Sequence, residues 1–269
     1  KPGEYTVFND WRANGWTDIR EAIAVSSDIY FYQIGGGFGS QKGLGITKID
    51  EYAKDFGMGV AIKKGFFRGN AGVIPTPEWK AKNFNGDIWR VGDTYNTSIG
   101  QYGFQITPAQ AVRSIAAIAN GGTVVNPHIF KQINAKEGVV DGHASKVSSY
   151  EEEQDENWKV DIKNQSDFDI IREGMRMTVT QGTMGALNVP YVKMAGKTGT
   201  AQTGASKQTI NSWAVGFWPY EKPKYAFVLL LEQGPSTAMF GASPAMAEFV
   251  GKVNLYAPEY FSGGAGEVQ

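Results

Sequence analysis

Hydrophobic and polar positions recur along this chain with two periods, a helical one that dominates the first half and a strand period that appears late. Thr107-Pro108-Ala109-Gln110 forms a capping box with Pro at the first helical position. Behind it, Val112, Ile115, Ala116 and Ala119 share one face until Asn120-Gly121-Gly122 stops the helix. Ser166 reads as the cap of a second helix, with Asp167 and Asp169 in its first turn and Ile170, Ile171, Met175 and Val179 as its apolar positions. Ser243 followed by Pro244 opens a closing helix with Met246, Phe249, Val250 and Val253 on one face. Thr47 opens a further helix through Ile49, Tyr52, Ala53 and Phe56 to Gly57. Strands at 192–202, 210–218 and 224–232, separated by short turn-like segments, predict an antiparallel meander. Residues 225–231 are almost wholly apolar, which predicts burial on both faces.

Between these halves, residues 134–159 are polar and patternless, as expected of a long surface insertion. The chain therefore divides into a mainly helical lobe (1–130), a polar insertion (134–160), and a helix, antiparallel sheet and closing helix (161–256). This order predicts an α+β domain. With 269 residues, 42% of them hydrophobic, a substantial core can form. A net charge of -1 with dispersed lysine and arginine favours neither nucleic acid nor an anionic membrane, and the acidic run 151–156 reads as a solvated loop. The absence of cysteine excludes thiol catalysis, thiolate metal sites and disulfides. His128 and His143 are too few and too poorly placed for a triad, and no His, Asp and Glu cluster has metal-ligand spacing. No metal or cofactor is expected. No stretch approaches the roughly 18 consecutive apolar residues of a membrane span, and no signal-peptide pattern opens the chain. It starts Lys1-Pro2-Gly3 without Met, which reads as a processed product or a fragment.

Two places carry candidate chemistry. On the helical segment 17–34, positions 19, 22, 23, 26, 27, 30, 31 and 34 share a face, and only Ser26 and Ser27 among them are polar. Either Ser26, Ser27 or Asp28 caps a new helix beginning at Ile29, or the chain breaks there to present Ser26 and Asp28 to a cleft. The second place is Lys197-Thr198-Gly199-Thr200, on a predicted strand flanked by Ala195-Gly196 and Ala201-Gln202. Small neighbours admit a ligand or another backbone. A lysine there can hold a carboxylate or lower the pKa of a nearby hydroxyl. The threonine hydroxyls can bind that carboxylate, and a free N–H at Thr200 can face an oxyanion. Lys-Thr-Gly is the third of three motifs by which penicilloyl serine transferases acylate a serine. The first of those motifs, Ser-x-x-Lys, occurs nowhere in the 269 residues.

The segment Ile23-Ala24-Val25-Ser26-Ser27-Asp28-Ile29-Tyr30-Phe31-Tyr32-Gln33 closely resembles the second-motif region of class B penicillin-binding proteins. Within that class it is similar to the cell-elongation type, penicillin-binding protein 2, where Ser-x-Asp replaces the commoner Ser-x-Asn. The resemblance continues through Phe56-Gly57-Met58-Gly59, Pro77-Glu78-Trp79-Lys80 and Ile99-Gly100-Gln101-Tyr102-Gly103. It then runs through Thr107-Pro108-Ala109-Gln110, Ala119-Asn120-Gly121-Gly122 and residues 195–202, in family order over roughly 16–255. The polar insertion alone has no clear counterpart.

The resemblance implies a penicilloyl serine transferase fold, an antiparallel sheet flanked by helices plus a helical lobe. It implies a D,D-transpeptidase that cross-links peptidoglycan stem peptides through a serine acyl-enzyme, is inhibited by β-lactams, and works with the elongation machinery. The setting would be the extracytoplasmic face of the bacterial membrane, with the anchor outside this chain. Carried onto matching positions, the catalytic residues are Ser26, in the proton-transfer network around the absent nucleophile and its lysine, Lys197, which supports that network, and Asp28, in place of the Asn that contacts the substrate peptide and the base lysine. Thr198, Gly199 and Thr200 bind substrate, Thr198 and Thr200 holding its terminal carboxylate and the Thr200 N–H serving as one arm of the oxyanion hole. The nucleophile, its helix and the first sheet strands are expected on sequence not among these residues, on a separate or cleaved segment of the same protein. With no nucleophile and no base beside Ser26 in sequence, the chain alone is expected to be inactive. The alternatives are a non-catalytic module that binds stem peptides or a cell-wall partner and, third, a class D β-lactamase or β-lactam sensor, which usually carries a hydrophobic residue in place of Asp28.

Overall fold

The computed structural model describes residues 6–63, 69–128, 156–204, 208–238 and 240–261, and the backbone alone at 138–140 and 143–145. The helices are α1 (Ile19–Val25), α2 (Asp28–Gly36), α3 (Gly45–Asp55), α4 (Pro77–Asn83), α5 (Val91–Ser98), α6 (Pro108–Ala119), α7 (Ser166–Thr180) and α8 (Ala242–Tyr256). The strands are β1 (Gly37–Phe38), β2 (Gln41–Lys42), β3 (Thr123–Val124), β4 (Gly138–Val140), β5 (His143–Ser145), β6 (Trp158–Lys159), β7 (Ala195–Thr203), β8 (Thr209–Trp218) and β9 (Tyr225–Pro235). The fold is α+β, as expected, and β7-β8-β9 is the antiparallel meander read from the sequence.

Side-chain alternation on β8 builds two cores on opposite faces of this sheet. Ala214 and Trp218 join Met246 and Val250 of α8 and Val179 of α7. Phe217 points the other way, to Ile23 of α1, Ile115 of α6 and Met175 of α7. The sheet is thus covered by α8 on one face and by α1 and α6 on the other, with α7 contributing to both cores. Burying an aliphatic or aromatic side chain of this kind stabilises the fold by about 1.5–3 kcal/mol.

The fold changes several expectations. Only Phe227 of the run 225–231 is fully buried among apolar residues there, while its neighbours are half-buried or exposed. Among the described residues β9 pairs with β8 alone, so it is an edge strand that lacks cover on one side. Thr107 caps α6 as read, its hydroxyl accepting from the Gln110 N–H and the Gln110 side chain answering at the Thr107 N–H. Ser166, Thr47 and Ser243 do not cap. Ser166 is already the first helical residue, and the Asp167 and Phe168 N–H groups bond to the carbonyls of Asn164 and Gln165. Thr47 lies inside α3, which starts at Gly45. Ser243 lies inside α8, whose Ala242 N–H is held from the sheet by Ser212 Oγ at 2.9 Å.

The polar insertion ends inside the fold. Trp158 and Lys159 pair with Val124 and Thr123, and Trp158 Nε1 donates to the Asp55 carbonyl. Within it β4 and β5 form a backbone hairpin, while residues 129–137, 141–142 and 146–155, with most of the acidic run, lie outside the described residues. In the helical half, the buried Lys80 ammonium bonds to Asp93 at 2.7 Å and the Ile88 carbonyl at 2.8 Å, and stands 5.8 Å from the Tyr102 ring. It ties α4 to α5 and braces the loop that leads into α6.

Candidate active site

The site begins where α1 ends. Ser26 adopts the left-handed conformation (φ 58°, ψ 49°) that glycine usually supplies after a helix. The Ser27 N–H bonds back to the Ala22 carbonyl at 3.0 Å and the Ser26 N–H to Ile23 at 3.4 Å, a Schellman closure with serine in the strained place. Ser27 then caps α2, its hydroxyl accepting from the Tyr30 N–H at 3.3 Å. The two readings left open by the sequence are therefore divided between neighbouring serines: Ser27 caps, and Ser26 is displayed.

Helix α1 is fixed in place by α7. Gly174 lets Ile23 approach so closely that an added Cβ would sit 2.9 Å from Ile23 Cδ1. Thr178 Oγ1 donates to the Ile23 carbonyl at 3.3 Å, the Thr183 N–H donates to Ala24 at 3.2 Å, and Arg20 pairs with Glu173. From α7 the chain runs through Thr183 and Met184 into β7, whose residues 197 and 200 face Val215 and Ser212 of β8. Gly196 admits Met184, whose Sδ would lie 2.6 Å from an added Cβ. This geometry carries Lys197 to the end of α1. Its Nζ donates to Ser26 Oγ at 2.7 Å and to the Thr198 carbonyl at 2.8 Å.

Burial holds the half-buried Lys197 amine down at about pKa 8, against the charge of Asp28, which favours the protonated form. The Asp28 carboxyl is pushed up by burial and by the Asp10 charge, with Lys197 pulling it back. Asp28 and Lys197 interact through space, and among the described residues no hydrogen bond joins their side chains. An amine near neutrality, bonded to a serine hydroxyl, can pass a proton in either direction at physiological pH. The expected meeting of Ser26 and Lys197 is present: the amine reaches Ser26 from β7, 171 positions away.

Lys197, Thr198, Gly199 and Thr200 line a cleft of about 880 Å³, with Gln101 and Tyr102 on the opposing wall. Gln101 Nε2 reaches the Thr200 carbonyl at 3.4 Å. Thr183 Oγ1 and Thr198 Oγ1 lie 2.6 Å apart, so Thr183 fixes the Thr198 hydroxyl. Ser26 and Asp28 are not part of that wall and reach it through Lys197. A second cavity of about 550 Å³, between α7 and the β8–β9 turn, touches none of these residues. Among the described residues no group of His, Asp and Glu could hold a metal ion, and no helix is long and apolar enough to cross a membrane.

Sequence reasoning missed Thr183, and it missed Asp10 and Trp11. Asp10 accepts from Ser27 Oγ at 2.7 Å and from the Asp28 N–H at 3.1 Å. Trp11 Nε1 donates to the carbonyls of Val25 at 3.1 Å and Ser26 at 3.0 Å. Asp-Trp and a lone threonine carry no spacing signal, because each meets its partner only in the folded chain.

Comparison with known proteins identifies the family. The sequence profile of the penicillin binding protein transpeptidase domain matches residues 1–253. Peptidoglycan D,D-transpeptidase MrdA of Haemophilus influenzae is 30% identical over 252 residues, covering 86% of this chain and 36% of that protein. Its Acinetobacter baumannii counterpart is 29% identical over 248 residues, covering 87% of this chain and 34% of that protein. Among solved structures, Pseudomonas aeruginosa PBP2 in complex with WCK 5153 superposes with a TM-score of 0.72 at 25% identity, over 100% of this chain and 54% of that one. Helicobacter pylori PBP2 in complex with MreC gives a TM-score of 0.69 at 27% identity, over 93% of this chain and 43% of that one. The chain spans about a third of the length of these two curated relatives. A profile match over nearly the whole chain, on a fold that brings Lys197 of the Lys-Thr-Gly motif into hydrogen-bond contact with Ser26 of the Ser-x-Asp motif, places it in the penicillin-binding protein transpeptidase domain family.

Proposed function

We propose that this chain is the carboxy-terminal part of the transpeptidase domain of a peptidoglycan D,D-transpeptidase of the elongation type. The observation that carries the reading is the Lys197–Ser26 hydrogen bond at 2.7 Å, made beside a cleft lined by Thr198, Gly199 and Thr200. The nucleophile comes from a Ser-x-x-Lys segment outside these 269 residues. Its Oγ attacks the carbonyl carbon of the penultimate D-alanine of a donor stem peptide. The peptide C–N bond breaks, the leaving D-alanine nitrogen takes a proton, and an acceptor amine then attacks the acyl-enzyme ester and returns the serine. Ser26 and Lys197 relay protons in both halves, and Asp28 biases Lys197 toward its charged form. Thr198 and Thr200 hold the terminal carboxylate of the stem peptide or of a β-lactam, and the Thr200 N–H faces the oxyanion. Without the nucleophile the rate falls about 10⁶-fold, so the chain alone is inactive.

The same reading assigns the protein to the extracytoplasmic face of the bacterial cytoplasmic membrane, in cell-shape maintenance, with the elongation machinery as partner. The relative solved with MreC supports that assignment. A second reading, a non-catalytic module that binds stem peptides, is favoured by one observation, the lack of Ser-x-x-Lys in the 269 residues. Fluorescent-penicillin labelling of the protein carrying its Ser-x-x-Lys segment separates the two. A covalent label that a Lys197→Ala variant loses supports the transpeptidase, and reversible binding without a label supports the module.

A further inference from the structure

Ser26 is held in the left-handed conformation that L-residues rarely adopt, so its surroundings must over-determine it. The carbonyls at the end of α1 and the N–H groups at the start of α2 all require partners. Two of these carbonyls, at Ala22 and Ile23, are taken by the Schellman closure, and Ala24 is taken by the Thr183 N–H. Those of Val25 and Ser26 are left, and both accept from Trp11 Nε1, at 3.1 and 3.0 Å. On the other side of the break, the Asp28 N–H and the Ser27 hydroxyl donate to the two oxygens of Asp10, at 3.1 and 2.7 Å. Two adjacent residues thus supply the donor that closes one helix and the acceptor that opens the next.

The segment carrying them is itself anchored. Phe8 packs edge-on against Tyr32 of α2 at 5.4 Å and Tyr95 of α5 at 5.0 Å. Trp11 is more than half exposed and contributes little to the core, so its two hydrogen bonds are its principal contact with the site. Neither Asp10 nor Trp11 lines the cleft or touches Lys197, Thr198 or Thr200.

We propose that Asp10 and Trp11 are positioning residues for the transpeptidase reaction, clamping the α1–α2 break so that the Ser26 hydroxyl meets Lys197. The proposal rests on the transpeptidase reading of the site. Releasing the clamp lets Ser26 leave the left-handed conformation and carries its hydroxyl off the amine, while the carboxylate-binding threonines stay in place.

The test uses Trp11→Phe, which keeps an exposed aromatic ring without the N–H, together with Asp10→Ala and Asp10→Asn. In the protein with its Ser-x-x-Lys segment, rapid-quench kinetics with a penicillin separates the Kd of the non-covalent complex from the first-order acylation rate constant. Trp11→Phe and Asp10→Ala should lower the rate constant about tenfold, the size expected from losing one or two ordinary hydrogen bonds, and change the Kd less than about twofold. Asp10→Asn keeps one acceptor and should recover part of the rate. In parallel, hydrogen exchange on the 269-residue chain should show faster exchange at residues 26–30 in Trp11→Phe and no change along β7. Parent-like rate constants in both Trp11→Phe and Asp10→Ala, or a rate loss matched by an equal rise in Kd, would overturn the clamp. Should the parent protein take no penicillin, the transpeptidase reading fails. The exchange result then decides the clamp alone: faster exchange at 26–30 sustains it, and unchanged exchange removes it.

Discussion

Lys197 Nζ and Ser26 Oγ, 171 positions apart in sequence, lie 2.7 Å apart at the end of α1. Both groups are weak proton carriers in water, and the contact becomes useful because burial brings the amine to about pKa 8. Lys197→Ala in the protein with its Ser-x-x-Lys segment should cut the rate of penicillin acylation by about a hundredfold or more, since a general acid or base contributes ~10²–10⁴-fold. The substitution removes a hydrogen-bond donor together with a desolvated charge, so thermal melting should stay within a few degrees of the parent. Equal acylation rates would take Lys197 out of the reaction.

The same amine gives a stability signature. Unfolded, it titrates near its ordinary 10.5, and folded near 8. Between those values the unfolded chain holds a proton that the folded chain has shed, so the Lys197 contribution to stability rises with pH across that window. Below about pH 8 the full penalty applies. It is at most ~3–4 kcal/mol, and smaller in practice because the side chain is only half-buried. Urea melts of the parent and of Lys197→Met between pH 7 and 10.5 should converge as pH rises, with the variant the more stable at pH 7. A pH-independent difference would show that Lys197 titrates normally.

Asp28 pays a different cost. Burial and the neighbouring Asp10 both oppose its ionisation, and its charge in turn holds Lys197 toward the protonated form. Asp28→Asn should therefore raise the melting temperature at pH 7 and move the Lys197 titration to lower pH, which NMR of ¹³C-methylated lysine reads directly. An unchanged Lys197 titration would contradict the Coulombic link between the two.

At Ser26, two truncations separate backbone strain from chemistry. Ser26→Gly and Ser26→Ala both lose the hydroxyl, and both should lose most of the acylation rate. Only glycine accepts φ 58° without penalty, so the glycine variant should be more stable than the alanine variant by about 1 kcal/mol in urea melts. Equal stabilities would mean that the break relaxes when the hydroxyl is gone.

The sheet was legible because its strands carry the period of two and are punctuated by turn-like segments, and α6 because both halves of its capping box are local. Ser166 and Ser243 have the side chains of caps, yet the N–H groups beside them find other partners, as Ala242 does in the Ser212 hydroxyl of β8. The run 225–231 was read as doubly buried from composition alone. Composition says nothing of whether a strand neighbours β9 on its far side. In the site, Ser26 and Ser27 interrupt an apolar stripe, while Asp28 and the Lys-Thr-Gly segment are legible through their resemblance to family motifs. Asp10, Trp11 and Thr183 interrupt nothing, and their partners lie 18, 15 and 15 residues away across turns the sequence does not display.

Intact-mass spectrometry after incubation with a penicillin tests the central claim most directly, that these residues serve a nucleophile carried on another segment. The 269-residue chain alone should gain no mass, and the protein including its Ser-x-x-Lys segment should gain one penicilloyl group, mapped by peptide analysis to the serine of that segment. An adduct on Ser26 in the isolated chain would contradict the account, since the Ser26–Lys197 pair would then be the nucleophilic dyad itself.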